Sequence, residues 1–396
     1  MLTQALQRTT RNLIGTVDRA VLERVLTPLP AAREPIESLS HTERIHALTA
    51  FAAFYDRPDH FAPATTFFSR TACPMPNERV VRRFGRQGEV VDLSWHSGFE
   101  PLWSEPAATA YFQSALDVLR SAAGSRAHAK LARSLDSLRA CERRLGIQLD
   151  YGNGQPANQT MCARWFRHND GSRPCAVILH GYLGGTLALE EHMWPVHALF
   201  ERGMDVVLSV LPMHGARAGL RGRFRLPGFP AVDPRLAVEG FRQLVHEHLT
   251  LFDYLLAGKV SELGVMGMSL GGYSAALLCT LDPRLRFGLF YMPLACVADF
   301  ALRTGRMTGD ALEQREQAEM LERVYRCVSP LARPSLLPED RTVVLAGEAD
   351  LITGLAHGSQ LVEQFGAKLC TYAGSHIMPL GRDAAFDAAW RLLGWA

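Results

Sequence analysis

Lysine is nearly missing from this sequence: in 396 residues it occurs only at positions 130, 259 and 368, and arginine carries the remaining basic charge. Acidic and basic side chains almost cancel, leaving a formal net charge of +2. So small an excess provides no global field to draw in nucleic acid or to hold the chain on an acidic membrane. The eight cysteines show no CxxC spacing, and Cys175 and Cys279 sit inside apolar runs. That pattern argues against a zinc site or disulfide framework and for small buried hydrophobes. No apolar run is long enough to cross a bilayer: the most apolar one, beginning at Phe287, is broken by Pro293 and Asp299. Residues 1–26 carry charges throughout, Asp18 and Glu23 among them, and lack the compact apolar core of a signal peptide. A cytoplasmic protein without stable membrane insertion is the expectation. Internal repeats and low-complexity segments are also missing. What is left is an ordinary globular composition, long enough for one large catalytic domain with additions, or for two domains.

Residues 1–85 read as an N-terminal helical extension, with helical pieces near 2–26 and 39–55; Ser40 and Glu43 offer the second a capping box. Residues 88–95 alternate as a strand does, and 107–145 read as a long amphipathic helix. From Met161 onward, short apolar runs alternate with helical stretches. Strands are expected at 161–166, 175–180, 204–210, 263–268, 287–291, 342–346 and 368–372, with helices such as 236–256 and 273–281 between them. Strands joined through helices need crossover connections, so the expected fold is α/β, a mostly parallel central sheet flanked by helices. Residues 86–396 would form the main domain. A helix-rich insertion at about 294–338 begins at a strand's carboxyl end, where it could cap a ligand crevice.

The apolar run 263–268 leads into Gly267-Met268-Ser269-Leu270-Gly271-Gly272 and a helix. A serine hydroxyl becomes a useful nucleophile only when exposed, beside a base and near donors for an oxyanion. A sharp strand-to-helix turn supplies the exposure, and crowding there demands glycine at 267 and 271. The alternative is a turn in which Ser269 merely caps the helix. Upstream, His180-Gly181-Tyr182-Leu183-Gly184-Gly185 closes another strand. The backbone N–H groups of Tyr182 and Leu270 are the candidate oxyanion donors, with His180 and Gly181 shaping the loop. A phosphate loop would need a different glycine spacing.

With such a nucleophile the chain order is Ser, then Asp or Glu, then His. Asp350 follows one strand and His376 follows the next, which makes them the candidate acid and base; Glu348 rivals Asp350. His214, in the Pro212-Met213-His214-Gly215 segment, is a candidate pocket residue or a loop-packing one. Arg217, Arg221, Arg223 and Arg225 form a basic cluster, either solvated or an anion site. His246, Glu247 and His248 suggest a metal only superficially, since residues two apart on a helix diverge; a solvated helix face is expected there. No metal site is expected.

Taken together, HGYLGG, LPMHGAR, GMSLGG, GEAD and GSH resemble the α/β-hydrolase superfamily across roughly 161–396, and within it certain poorly characterised alpha/beta-hydrolase domain-containing proteins. The resemblance implies Ser269 as nucleophile, Asp350 as acid, His376 as base and Tyr182 as oxyanion-loop residue. The superfamily hosts many reactions, so the fold alone does not name this one. The expected function is a serine esterase acting on a small-molecule acyl substrate through an acyl-enzyme, with no cofactor, because a carboxylesterase makes the fewest demands on the pocket. An acyltransferase or peptidase on the same triad, and a non-catalytic binding protein, are the alternatives. Neither the acyl chain nor the oligomeric state follows from the sequence.

Overall fold

The computed structural model describes residues 14–23, 39–61, 67–68, 75–102, 125–145, 157–218 and 226–395. A helical segment at 14–23 comes first, followed by α1 (His41–Tyr55). Strands β1 (Asn77–Phe84) and β2 (Gly88–His96) make a hairpin, and α2 (Ser125–Leu145) precedes β3 (Thr160–His168) and β4 (Arg173–Leu179). Short helices α3 (Leu187–Met193) and α4 (Val196–Glu201) lead to β5 (Asp205–Ser209), and α5 (Pro234–Leu256) connects it to β6 (Val260–Met268). Helix α6 (Leu270–Cys279) and β7 (Gly288–Tyr291) come next, then α7 (Val297–Arg303) and α8 (Ala311–Tyr325). β8 (Thr342–Gly347), α9 (Gly354–Phe365), β9 (Lys368–Tyr372) and α10 (Arg382–Leu392) complete the order.

The strands form one 9-stranded sheet in the order β1-β2-β3-β5-β4-β6-β7-β8-β9. From β5 to β9 every pairing is parallel, and β1, β2, β3 and β5 are joined antiparallel. The central strands β5 and β8 are buried along their whole length, as a parallel sheet covered by helices on both faces requires. Alternate residues of one strand therefore serve two cores: Val177 packs with Phe51, Phe241 and Leu244, while Ile178 packs with Trp194, Phe386 and Trp390.

The expected strands from 161 onward all form, with ends shifted by a few residues. The capping box of α1 is present: Ser40 Oγ accepts from the Glu43 amide, and the Glu43 carboxylate accepts from the Ser40 amide at 3.0 Å. Of the helix expected at 107–145, residues 107–124 lie outside the described ones, and 125–145 are helical. Strand β1 has no counterpart in the sequence reading and falls before residue 85. It is an edge strand exposed along nearly all its length, so no apolar alternation marks it; Arg79 pairs across to Asp92 of β2 and Arg82 to Glu191.

One reading is corrected. His246, Glu247 and His248 do not form a solvated face; α5 is buried almost all round, and all three side chains are inside. Burial is tolerated because every one has a partner. Glu247 meets the Arg217 guanidinium at 2.6 and 2.8 Å and also accepts from Ser97 Oγ at 2.6 Å and Gln243 at 2.7 Å. His246 Nε2 reaches the Ser97 carbonyl at 2.8 Å, and His248 bridges the Leu244 carbonyl and Ser209 Oγ. Arg217 is therefore neither a solvated charge nor an anion site but half of a buried ion pair. The rest of its cluster, Arg221, Arg223 and Arg225, lies outside the described residues. Among the described residues no helix is long and apolar enough to cross a membrane.

Candidate active site

Ser269 occupies the one-residue turn between β6 and α6 with φ 55° and ψ −114°. A non-glycine residue in that region is strained by roughly 1–3 kcal/mol and persists only where the surroundings hold it. Here they do. The Ser269 amide donates to the Tyr291 carbonyl at 3.0 Å, and its carbonyl accepts from the Tyr273 and Leu294 amides, both at 3.1 Å. The flanking glycines have no alternative: a Cβ on Gly267 would lie 2.0 Å from the Gly271 oxygen, and one on Gly271 would lie 2.1 Å from the Leu179 oxygen. Leu270 opens α6, so its N–H is one of those no intrahelical carbonyl can satisfy.

The loop after β4 passes directly over this turn, with Gly181 close enough that an added Cβ would stand 3.5 Å from Ser269 Cβ. His180 is buried beneath it. Its Nε2 accepts from the Leu211 amide at 3.1 Å, which places the proton on Nδ1, and Nδ1 donates to the Gly181 carbonyl at 2.7 Å. Both ring nitrogens are occupied, and burial, helped by the nearby His214, pushes the ring well below its ordinary pKa. His180 thus ties the glycine loop to the end of β5. His214 is fully buried too and does not line the cavity. Its Nδ1 meets the Pro212 carbonyl at 2.8 Å, its ring packs edge-on against those of Tyr182 and Phe229, and burial pushes its pKa down to about 4.

On the other side of Ser269, the loops after β8 and β9 meet. His376 Nδ1 is 2.8 Å from Asp350 Oδ2. The same carboxylate accepts from the amides of Ile352 and Thr353 and, at 2.7 Å, from Thr353 Oγ1. Burial alone would raise the Asp350 pKa, but the attraction of His376 and these hydrogen bonds outweigh it and hold it at about 2. Burial likewise opposes the charged form of His376; the Asp350 carboxylate overcomes it, and Asp18 adds to the effect, so the net shift is upward. Glu348 instead accepts from Thr371 Oγ1 at 3.1 Å.

Ser269, Leu270, Gly181, Tyr182 and His376 all line one cavity of about 370 Å³. Its far walls come from outside the sheet: Ala47, Leu48 and Phe51 of α1, Val297, Phe300 and Ala301 of α7, and Leu321 and Tyr325 of α8. The lining is overwhelmingly apolar, with Arg44, Glu190 and Arg306 its charged members. The α7 and α8 residues lie in the insertion at about 294–338 that the sequence offered as a cap, whereas the α1 residues, more than two hundred positions away, carried no local sign of a place in the wall. Thr353 and Asp18 were missed as well; nothing local marks either as a partner of the loops after β8 and β9.

No family model matches the chain. Uncharacterized proteins of two Mycobacterium tuberculosis strains are 32% identical over 228 residues, which is 56% of this chain. The match spans 53% of those relatives, so the chain covers about half their length. Among solved structures, acetyl xylan esterase 1 from Thermoanaerobacterium sp. superposes with a TM-score of 0.51 at 13% identity, covering 85% of this chain and 94% of that one. An acetyl xylan esterase from Paenibacillus sp. gives 0.50 with the same identity and coverages. With the sheet order above, these likenesses show the α/β-hydrolase fold.

Proposed function

We propose that this chain is a serine hydrolase that cleaves an ester, or a related acyl bond, carrying an apolar group. The observation behind the reading is that a strained, half-buried serine and a histidine already bonded to a carboxylate both line one apolar cavity. Asp350 takes Nδ1 of His376, so Nε2 is the nitrogen left to act on the Ser269 hydroxyl. In the first step Ser269 Oγ attacks the substrate carbonyl and passes its proton to Nε2. Asp350 holds the ring in that tautomer and stabilises the imidazolium. The Leu270 and Tyr182 amides receive the oxyanion. His376 then protonates the leaving alcohol, and water, deprotonated by the same ring, releases the acid.

Acetyl xylan esterases share the fold, but so few polar groups line this cavity that a hydrocarbon chain fits its chemistry better than a sugar does. One feature favours acyl transfer as a second reading. Helices α1, α7 and α8 add apolar walls to the cavity, and an apolar acceptor seated against them would compete with water for the acyl-enzyme.

Labelling with a fluorophosphonate, with Ser269→Ala and His376→Ala as controls, tests the reading alongside a series of p-nitrophenyl esters. Labelling should vanish in both variants, and esters with chains longer than acetyl should be turned over fastest. Labelling without turnover would move transfer ahead of hydrolysis. A folded wild-type protein that never labels would leave the chain a binding protein.

A further inference from the structure

The helical segment 14–23 is distant in sequence from every motif, yet its Asp18 is completely buried among the loops that carry Asp350 and His376. Four donors converge on this one carboxylate. The His376 amide reaches Oδ2 at 2.9 Å, the Ile377 amide reaches Oδ1 at 2.9 Å, and Ser375 Oγ reaches Oδ1 at 2.8 Å. From the neighbouring loop the Leu351 amide reaches Oδ2 at 3.0 Å. A carboxylate offers about four lone-pair sites and accepts only, so these donors saturate it. Three of them belong to the loop that ends β9, and the fourth to the residue just after Asp350. Asp18 therefore ties together the two loops whose relative placement sets the His376–Asp350 hydrogen bond. Val21, one turn further along, lines the cavity itself.

We propose that Asp18 is a positioning residue: it locks the base loop against the acid loop from outside the sheet, so that the N-terminal helical segment completes the active site. The proposal rests on the reading of His376 as base. Its logic is geometric. The Ala349 amide already ties the loop after β8 to the Gly374 carbonyl at 3.1 Å, and without Asp18 the buried amides of His376, Ile377 and Leu351 would lose their acceptor and pull both loops toward another conformation. The charged groups facing His376 are Asp350 from the loop after β8 and Asp18 from the helical segment, while the turn before α6 presents the neutral Ser269. Removing the Asp18 charge leaves the imidazolium with one carboxylate instead of two.

The experiment measures kcat, KM and the pH dependence of kcat/KM for an ester, in Asp18→Asn, Asp18→Glu and Ser375→Ala, with His376→Ala and thermal melts as references. Asp18→Asn replaces one acceptor oxygen with an NH2 group that confronts at least one backbone N–H donor whichever way the amide is turned. It should lower kcat roughly 10- to 100-fold, with KM changed less than about twofold, since misplacing a catalytic group mainly costs the chemical step. The acid limb of its profile should move to lower pH, because a negative charge beside the ring is gone. Asp18→Glu keeps the charge, so its acid limb should stay nearer that of the wild type, while the longer side chain still lowers kcat. Ser375→Ala should show a smaller fall of the same kind. If Asp18→Asn fails to fold, the other two variants carry the test. Wild-type kcat and an unmoved acid limb in folded Asp18 variants would overturn the proposal. Full activity of His376→Ala would instead remove the reading on which it stands.

Discussion

His248 sits in the middle of α5 and His376 in the loop after β9, and burial works against the charged form of both rings. Their fates differ. His248 spends both nitrogens on fixed neighbours, the Leu244 carbonyl and Ser209 Oγ, and its pKa is pushed down to about 4. His376 spends Nδ1 on a carboxylate, its pKa moves up, and its residue borders the cavity shared with Ser269. Beside His248, Arg217 and Glu247 form a buried ion pair within the packed core; beside His376, Asp350 and Asp18 hold loops that border the cavity. Buried charge by itself therefore says little about chemistry. What separates the two regions is a valence left unspent and facing space that a substrate can fill.

This contrast can be broken or sharpened by substitution. Ser269→Ala should cut ester kcat/KM by roughly 10⁴-fold or more while leaving the melting temperature close to wild type. Asp350→Asn should lower kcat by about 10³- to 10⁴-fold, because the neutral amide no longer holds the imidazole tautomer; kinetics on folded protein check this. In the other region the sign of the effect reverses. Arg217→Ala should cost about 3–5 kcal/mol of unfolding free energy, measured in urea, by stranding the Glu247 carboxylate. Turnover per folded molecule should stay near wild type, and a large loss of turnover there would erase the distinction between the two regions.

The pH dependence separates the rings again. The base must be neutral, so kcat/KM should fall as pH drops through the His376 pKa, and the raised value puts that midpoint above the usual 6.5. His248→Gln should leave the midpoint where it is, as read from the acid limb of the profile. The smallest effect concerns backbone strain. Ser269→Gly should raise unfolding free energy by about 1 kcal/mol, because glycine accepts the positive φ that serine tolerates at a cost.

How far the sequence carried the reading follows the same physics. The parallel strands were legible because a sheet covered on both faces needs continuous apolar runs, such as that of β4. Edge strand β1 was not, since a strand exposed on both sides needs none. The turn at Ser269 was legible because Gly267 and Gly271 are demanded by close backbone approach, a local requirement written in local residues. The polarity of α5 misled for the opposite reason: His246, Glu247 and His248 look solvated until their partners arrive from Ser97, Arg217 and Ser209.

Read alone, the sequence settled the order of the strands from 161 onward, the turn at Ser269, and the loops in which the candidate acid and base stand. Local periodicity and steric demand act over a few residues, and those features need no more. Only the tertiary structure decided which carboxylate meets His376, that Asp18 clasps both loops, and that α1 joins the wall of the cavity. Each of those depends on donors and apolar surfaces brought together from distant segments, and no local pattern encodes a partner that the chain meets only after folding.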